Sequence, residues 1–310
     1  MQINKIFSNN LNYYFLLCSA NLIDITFLLM KIIDNKQELA DKILSLRKNN
    51  ETIGFVPTMG ALHTGHLSLI KESNNDNTIT VVSIFVNPTQ FNNPNDYSKY
   101  PRILTDDIEK LKSVKCDILF TPSEIEMYPE EDKRDFDFGN IDKVMEGQHR
   151  PGHFRGVALI VSKLFEAVMP DKAYFGEKDF QQVAIINKLN EIEDFQIEII
   201  SCPIIREADG LAMSSRNMLL SQDQRENVPL ISKTLMIAAE QSKTKNVSDI
   251  KSWVVETINA NSYLEIEYFD IVDTKTLKTI TQWSDSKTII ACIAVNVGTT
   301  RLIDNIRFYS

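Results

Sequence analysis

The chain has 310 residues, of which 33 are Lys or Arg and 42 are Asp or Glu, so its net charge at pH 7 is −9. A hydrophobic fraction of 43% with 24% charged residues is that of a globular protein and excludes a disordered chain. The acidic balance disfavours general attraction to a nucleic-acid backbone, although a local basic pocket is compatible with it. We therefore predict a small-molecule substrate and no nucleic-acid partner.

The cysteines and the N-terminal segment bear on where the chain resides. Four cysteines lie far apart without CxxC spacing, which fits reduced thiols in the cytosol better than a disulfide framework. Residues 11–30 are apolar, but Asn12, Asn21 and Asp24 interrupt the roughly 20 apolar residues that a membrane span needs. Only Lys5 precedes this run as a basic residue, and no small-x-small cleavage site closes it, so a signal peptide fits poorly. We expect a cytoplasmic protein without a membrane partner.

Residues 1–29 form an N-terminal extension, and residues 30–33 read as the natural opening of a cytosolic domain. We hypothesise that translation starts at Met30. An intact mass that included residues 1–29 in protein from native cells would contradict this hypothesis.

From residue 36 onward, apolar runs of β-forming residues alternate with helical patterns. Leu39, Ile43 and Leu46 form the first helical stripe. The runs predict strands at residues 52–56, 78–86, 117–120, 173–175 and 195–202, and helices at residues 67–72, 106–114, 156–168 and 180–191. Ser123 and Glu126 have the spacing of a capping box and predict a short helix. Stacked βαβ units with continuous apolar strands predict an α/β fold around a parallel sheet.

After residue 205 the pattern changes. Helical segments at residues 222–241 and 247–259 precede strand-like runs at residues 266–272 and 288–295. This order predicts a smaller C-terminal α+β domain, joined to the larger one by a short hinge because no Gly- or Ser-rich linker is present. The predicted division is an extension at residues 1–29, a larger domain at 30–204 and a smaller domain at 205–310.

All four histidines fall in two close pairs, His63 with His66 and His149 with His153. These spacings can place two rings on one helix face, where they could share a metal ion. No Cys or carboxylate is interleaved at ligand spacing, so we assign no metal ligand from the protein. For His149 and His153, a surface or packing role is an equal alternative on spacing alone.

The segment at residues 57–66, PTMGALHTGH, follows a predicted strand and opens a helix. Gly60 and Gly65 allow the backbone to approach a ligand, and free N–H groups at a helix start favour an anion, so the segment predicts a phosphate cradle. The glycine spacing is that of a Walker loop, but His66 stands where the lysine belongs. Imidazoles there predict hydrogen-bond donation to phosphate oxygens, with positive charge supplied from elsewhere.

Sequence blocks along the chain carry a resemblance to known enzymes. The run His63-Thr64-Gly65-His66 resembles the HxGH signature of the nucleotidylyltransferase superfamily, whose members attack the α-phosphate of a nucleoside triphosphate and release pyrophosphate. Further blocks resemble the pantothenate synthetase family, the pantoate–β-alanine ligases; they lie at residues 81–91, 100–102, 150–156, 175–182, 209–217 and 301–305. Their order and spacing fit the family from about residue 30 to residue 305. The departures are Thr89, where Met is common, and the extension at residues 1–29.

The resemblance implies a fold, a reaction and an assembly. The fold is a Rossmann-like parallel sheet with a smaller C-terminal domain that closes over ATP as a lid. The reaction has two steps: pantoate and ATP give pantoyl adenylate and pyrophosphate, and β-alanine then displaces AMP to give pantothenate. ATP is a substrate, Mg²⁺ travels on its phosphates, and the assembly is a homodimer through the larger domain.

The resemblance also implies site residues. His63, His66 and Lys178 are the candidate catalytic residues, two hydrogen-bond donors and one cation. The candidate ATP-binding residues are Met59, Gly60, Ala61, Leu62, His63, Thr64, Gly65, His66, Gly176, Glu177, Lys178, Asp179, Ile205, Met213, Ser214, Ser215 and Arg216. Gln90 and Gln182 are the candidate pantoate ligands, since amides donate to a carboxylate and accept from hydroxyls. Asn87 is a third candidate contact, Gln90 also serves β-alanine, and the rival Gln181 falls on the next helix face.

Three other functions fit parts of the pattern. Another nucleotidylyltransferase would leave the nucleotide on its product, and Gln90 and Gln182 argue against it because they predict a pocket for a small polar acid. A class I tRNA synthetase is disfavoured by the net charge and by the absence of a basic anticodon-binding extension. A non-catalytic metal- or nucleotide-binding module built on the histidine pairs would be favoured by tight stoichiometric zinc.

Overall fold

Six parallel strands form the larger of two sheets in the computed structural model, which describes residues 30–308. The strands are β1 (Lys31–Ile33), β2 (Ile53–Thr58), β3 (Ile79–Ile84), β4 (Ile118–Phe120), β5 (Lys172–Gly176) and β6 (Glu198–Cys202). Their order across the sheet is β1-β4-β3-β2-β5-β6. The predicted α/β fold with a parallel sheet is confirmed, and the hypothesis about residues 1–29 lies outside the described residues.

Helices cover both faces of this sheet. They are α1 (Lys36–Arg47), α2 (Thr64–Asp76), α3 (Pro94–Lys99), α4 (Leu104–Ser113), α5 (Glu124–Met127), α6 (Glu146–His149), α7 (His153–Val168) and α8 (Phe180–Ile192). The interior strands are buried on both sides, which explains their continuous apolar sequences. Helix α7 buries 13 of its 16 residues, so it is a core helix apolar on nearly every side.

The direction of chain progression through the sheet reverses between β2 and β5. The chain passes outward from β2 through β3 to β4, and it later returns to the other side of β2 as β5 and β6. In open parallel sheets, ligands bind beyond the carboxyl ends of the strands at such a reversal. The segments that follow β2 and β5 are those that carry His63, His66 and Lys178.

The C-terminal part contains three helices and a second sheet. Its elements are α9 (Gln222–Asn227), α10 (Pro229–Gln241), α11 (Val247–Asn259), β7 (Glu265–Asp273), β8 (Ile289–Val297) and β9 (Thr300–Phe308). The strands are antiparallel in the order β7-β8-β9. The predicted smaller α+β unit is confirmed, but its first predicted helix is two helices, because Pro229 begins a new one and lacks the N–H that would continue the first.

Each face of the second sheet packs against a different part of the chain. One face is covered by α10 and α11 through a core that includes Leu235, Val254 and Ile293. The other face packs Tyr268 and neighbouring side chains against Met145 and α8. The second sheet is therefore seated on the segment that precedes α6, close to the helix that follows β5.

Two observations concern the residues from 30 to 308. The cysteines in this range, Cys116, Cys202 and Cys292, are free thiols and all are buried. No helix in the same range combines the length and the apolar character needed to cross a membrane.

Candidate active site

A cavity of about 220 Å³ lies at the carboxyl ends of β2 and β5, where the strand order reverses. Most of the predicted site residues line it: Met59, His63, Gly65, His66, Asn87, Gln90, Gly176, Lys178, Asp179, Gln182, Ile205, Met213, Ser214, Ser215 and Arg216. Five predicted residues do not line it: Gly60, Ala61, Leu62, Thr64 and Glu177. The fold thus gathers four distant sequence blocks around one cavity.

The hydrogen bonds of His63 and His66 determine which ring nitrogen each offers to a ligand. His63 precedes α2 and its Nδ1 accepts the N–H of Gly65 at 3.2 Å. The Nδ1 of His66 accepts the N–H of His63 at 3.3 Å. A neutral imidazole that accepts at Nδ1 carries its proton on Nε2. Each ring in the cavity wall therefore has an Nε2–H donor.

Both rings are neutral at pH 7. Burial, with the positive charge of Lys178, lowers the pKa of His63 to about 4. Burial, with His63 and Lys178 as neighbours, lowers the pKa of His66 well below its ordinary value. The two rings lie 4.0 Å apart between centroids. They are hydrogen-bond donors without charge, so positive charge in the cavity has to come from other residues.

Lys178 and Arg216 supply that charge. Lys178 lies in the 3₁₀ turn after β5, and its Nζ is 3.2 Å from a carboxylate oxygen of Asp179. Arg216 pairs with Asp96 at 2.9 Å and stacks over the ring of Tyr100. Single ion pairs of this kind leave further donor N–H groups on both cations. Both cations can therefore contact an anion in the cavity.

The loop between β2 and α2 is organised by a buried carboxylate that sequence analysis missed. Asp107, in the first turn of α4, is 1% exposed, and it accepts the N–H groups of Ala61 at 2.8 Å and Leu62 at 2.7 Å. Lys110 donates from Nζ to the carbonyl of Leu62 at 2.8 Å. The prediction of free loop amides for phosphate is therefore wrong at Ala61 and Leu62, because an internal anion already occupies them. Acidic residues are common in any first helical turn, so the sequence carried no distinguishing signal.

The segment after β6 is attached to the same loop. Ser215 is buried, and its hydroxyl donates to the carbonyl of Ala61 at 3.0 Å. This bond joins the 3₁₀ turn Ser215–Leu219 to the loop that carries the histidines. The hydroxyl of Ser214 accepts the N–H of Arg216, which fixes the start of that turn. The predicted phosphate-contacting residues from these two blocks are thus brought to one side of the cavity.

Gln90 and Asn87 form one hydrogen-bonded unit. Asn87 is 1% exposed, and its Nδ2 donates to the Oε1 of Gln90 at 3.1 Å and to the carbonyl of Gly156 at 3.0 Å. Its Oδ1 accepts the hydroxyl of Tyr128 at 2.7 Å. With its amide engaged inside the protein, Asn87 orients Gln90. This arrangement does not favour the predicted direct contact of Asn87 with substrate.

The adjacent residues Gln181 and Gln182 have different surroundings. Gln182 lines the cavity. Gln181 is 4% exposed, and its side chain accepts the N–H of Glu146 and donates to the carbonyls of Ile141 and Val144. Gln181 therefore holds the segment before α6, whereas Gln182 is exposed to the cavity, and its contact with pantoate stays a prediction.

An apolar wall completes this end of the cavity. It consists of Phe85 and four residues on one side of α7, namely Val157, Ile160, Val161 and Leu164. Sequence analysis did not assign these residues, because apolar side chains in a helix predict core packing in general. A substrate that lies between this wall and the two glutamines needs both an apolar part and hydrogen-bonding groups.

The second histidine pair is not arranged to share a metal ion. His149 ends α6 and His153 begins α7, so the two residues do not share one helix face. Among residues 30–308, no group of three or more His, Cys, Asp or Glu side chains is arranged to hold a metal ion. His149 stacks on Tyr268, and His153 forms hydrogen bonds to Arg150 and Gln90.

Comparisons with known proteins identify the family of this chain. The model of the pantoate–β-alanine ligase family matches residues 31–307. The pantothenate synthetase of Bacteroides thetaiotaomicron is 50% identical over 279 residues, which cover 90% of this chain and 99% of the relative. That of Porphyromonas gingivalis is 47% identical over the same length.

Solved structures agree as well. The crystal structure of pantothenate synthetase from Thermus thermophilus has a TM-score of 0.85 at 37% identity, covering 91% of this chain and all of that one. The ligase from Francisella tularensis, crystallised with β,γ-ATP and β-alanine, has a TM-score of 0.76 at 38% identity, with 90% and 98% covered. The chain therefore belongs to the pantoate–β-alanine ligase family of ATP-dependent ligases.

Proposed function

We propose that the cavity joins pantoate to β-alanine in two steps through pantoyl adenylate. A carboxylate oxygen of pantoate attacks the α-phosphorus of ATP, and pyrophosphate leaves. The amine of β-alanine then attacks the carbonyl carbon, AMP leaves, and the amine loses a proton. The observation that supports this proposal is one cavity that combines two Nε2–H donors, two cations and two amides between apolar walls. The intermediate is held by binding, without an acyl-enzyme.

His63 and His66 act on the α-phosphate in this proposal. Charge grows on the phosphate oxygens as pantoate attacks, and donors aimed at those oxygens bind the transition state more strongly than the ground state. Neutral rings with fixed Nε2–H groups suit this role, since they donate without having to gain or lose a proton.

Lys178 and Arg216 bind the triphosphate and the leaving pyrophosphate. Their charges offset the charge that the neutral imidazoles leave unbalanced. Ser214 and Ser215 stand beside Arg216 on the turn that contacts the histidine loop. Ile205, Gly176 and Asp179 flank the adenosine, and all three line the cavity.

Gln90 and Gln182 hold pantoate. Their amides donate to its carboxylate and accept from its hydroxyls, while the apolar wall of α7 receives its two methyl groups. Asn87 contributes by fixing the orientation of the Gln90 amide. Gln90 also faces the incoming β-alanine, because the amine has to reach the same carbon.

Mg²⁺ binds on the ATP phosphates in this proposal. Asp179 is the one carboxylate among the lining residues within 30–308, which suits an ion carried by a nucleotide better than a cage built by the protein. When bound, the ion would offset phosphate charge, with Asp179 as the available carboxylate.

The remaining proposals concern the whole chain. Residues 205–310 act as a lid that closes over ATP and excludes water that would hydrolyse the adenylate. The free thiols of Cys116, Cys202 and Cys292 support a reducing, cytoplasmic location. We also propose a homodimer through the larger domain, which a hydrodynamic mass measurement would test.

Pyrophosphate exchange into ATP tests the first step in isolation. The assay uses the protein with Mg²⁺ and without β-alanine, with and without pantoate. Exchange that depends on pantoate is the expected result. A folded protein that binds ATP but shows no such exchange would contradict the proposal and favour another acid or another nucleotidylyltransferase.

A further inference from the structure

His153 bonds the main chain of Gln90. Its ring is 6% exposed and its Nδ1 lies 2.8 Å from the carbonyl oxygen of Gln90. Its Nε2 lies 3.1 Å from Nη1 of Arg150, and a guanidinium only donates, so Nε2 accepts. The proton of the neutral ring is therefore on Nδ1, and His153 donates it to Gln90.

Arg150 in turn is connected to the C-terminal sheet through Glu146. Its Nη1 is 3.4 Å from the carboxylate of Glu146, one turn earlier in the chain. Arg301 of β9 binds the same carboxylate through two nitrogens, at 2.8 and 2.7 Å. Tyr268 of β7 donates its hydroxyl to Glu146 at 2.8 Å. A continuous series of hydrogen bonds thus leads from Arg301 through Glu146, Arg150 and His153 to Gln90.

Two segments in this series, those that carry Gln90 and Glu146, are also held by contacts outside it. A Cβ atom on Gly156 would lie 2.2 Å from the carbonyl oxygen of Thr89, so the first turn of α7 contacts the turn that carries Gln90 directly. The side-chain oxygen of Gln181 accepts the backbone N–H of Glu146 at 3.0 Å. A shift of either segment would disturb these contacts.

The protonation states along the series are stable at neutral pH. Burial would raise the pKa of Glu146, but the hydrogen bonds and charge of Arg301, with the charge of Arg150, hold it at about 2. Burial, reinforced by Arg150, lowers the pKa of His153 to about 4, while Glu146 and Asp179 oppose that shift. The donor and acceptor of each bond are therefore defined.

We propose that His153 and Arg150 are positioning residues that fix the position of the main chain at Gln90. Arg301, acting through Glu146, makes that position depend on the position of the C-terminal sheet. The proposal rests on the role of Gln90 in binding pantoate. It gives His153 a role in the reaction without contact with the reacting atoms. It also predicts that Arg301, a residue in the last strand, influences the pantoate end of the cavity.

Replacing His153 tests the first half of the proposal. His153→Leu removes the donor, and we expect the KM for pantoate in pyrophosphate exchange to rise on the order of 10-fold while the KM for ATP changes less than about twofold. His153→Asn places an amide N–H near the position of Nδ1, and we expect it to recover most of the loss. His153→Gln places its amide near Nε2 and recovers little.

Three results would overturn this half. They are an unchanged KM for pantoate in His153→Leu, an equal rise in both KM values, or equal recovery by Asn and Gln. Circular dichroism and the KM for ATP report whether each variant is folded. If the unaltered protein shows no pantoate-dependent exchange, the proposed function fails; if it exchanges and His153→Leu matches it, only the positioning role fails.

A double-mutant cycle tests the link to the C-terminal sheet. Arg301→Met should raise the KM for pantoate, and Arg301→Met with His153→Leu should raise it no further than His153→Leu alone, because both interrupt one series. Arg225→Met is the matched control, since Arg225 also binds two carboxylates, Glu207 and Asp209, outside this series. Fully additive effects, or an equal rise of the KM in Arg225→Met, would contradict the link.

Discussion

The two histidine pairs have the same residue type at similar spacing, yet His153 has the opposite hydrogen-bonding arrangement to His63 and His66. His63 and His66 accept backbone N–H groups at Nδ1 and carry their protons on Nε2, in the wall of the cavity. His153 donates from Nδ1 to Gln90 and accepts at Nε2 from Arg150. His63 and His66 each have an Nε2–H donor for a ligand, whereas both ring nitrogens of His153 are already hydrogen-bonded within the protein.

Whether a histidine pair can donate hydrogen bonds to a ligand therefore depends on the partner of each ring nitrogen more than on the spacing of the histidines. The first pair begins one helix, where the capping arrangement consumes Nδ1. The second pair spans the end of α6 and the start of α7, so each ring faces a different neighbour.

His66→Ala should reduce the rate of adenylation at least about 10²-fold, the scale seen when a donor to a transition state is removed. His66→Gln keeps an amide donor near the place of Nε2, and we expect a smaller loss. His66→Asn keeps a polar group near Nδ1 only and should resemble His66→Ala. Pantoate-dependent pyrophosphate exchange measures all three, and near-normal turnover of His66→Ala would refute the role of this ring.

Lys178→Ala should lower the same rate by about 10²-fold, because the neutral histidines leave the phosphate charge without a counter-charge. Amine transfer from preformed pantoyl adenylate provides the comparison. It should be affected less, since the triphosphate has already been cleaved. A variant in which only amine transfer suffered would show that Lys178 does not serve the ATP phosphates.

Asp107→Asn should raise the KM for ATP by about 10-fold and reduce the free energy of unfolding by about 1–3 kcal/mol, because one loop N–H loses its buried acceptor. The effect reaches the first histidine pair through the loop that carries it. Asp106→Asn, at the adjacent exposed position of α4, is the matched control. It should leave the KM for ATP and the free energy of unfolding nearly unchanged. Equal behaviour of the two variants would contradict the role given to Asp107.

Acid should destabilise the protein partly through His153. Its pKa in the folded state is about 4, below the ordinary 6.5, so the unfolded chain binds more protons between these values and stability falls as the pH falls through this window. From pH 6.5 to 5.5 the loss from this one residue is about 1 kcal/mol. Urea unfolding at both pH values measures this loss in the free energy of unfolding. In His153→Asn the loss between the two pH values should be smaller by about 1 kcal/mol. An unchanged pH dependence in His153→Asn would contradict the neutral state of the ring.

The sequence predicted those features that have a local pattern. Interior strands such as β2 and β3 are continuous apolar runs, and the loop at residues 57–66 has a recognisable order of glycines and histidines. Strand β1 was missed because it is short and begins with a lysine, and only one of its three residues is buried, whereas all three residues of the equally short β4 are buried and apolar. Strand β9 was missed because its alternation of apolar and polar residues is irregular.

The missed parts of the site are contacts between distant segments. Asp107 meets Ala61 across 46 positions, and Arg301 meets Glu146 across 155. Each of these charged residues, taken alone, reads as an ordinary surface group, because nothing in its neighbourhood along the chain indicates burial. Only the packing of α4 on the loop, and of the second sheet on α6, gives these residues their partners.

The smallest effect is expected at His149. Its ring stacks on Tyr268 at 5.3 Å between centroids and lies 3.8 Å from Glu267, outside the cavity. His149→Phe preserves the aromatic contact, so we expect kcat and both KM values within about twofold of the unaltered protein, because a partly exposed polar contact at 3.8 Å contributes little. His153→Leu in the same assay gives the contrast within one pair. If His149→Phe raised the KM for pantoate as strongly, the two rings would act together, and the hydrogen bonds of each ring would not explain the difference between them.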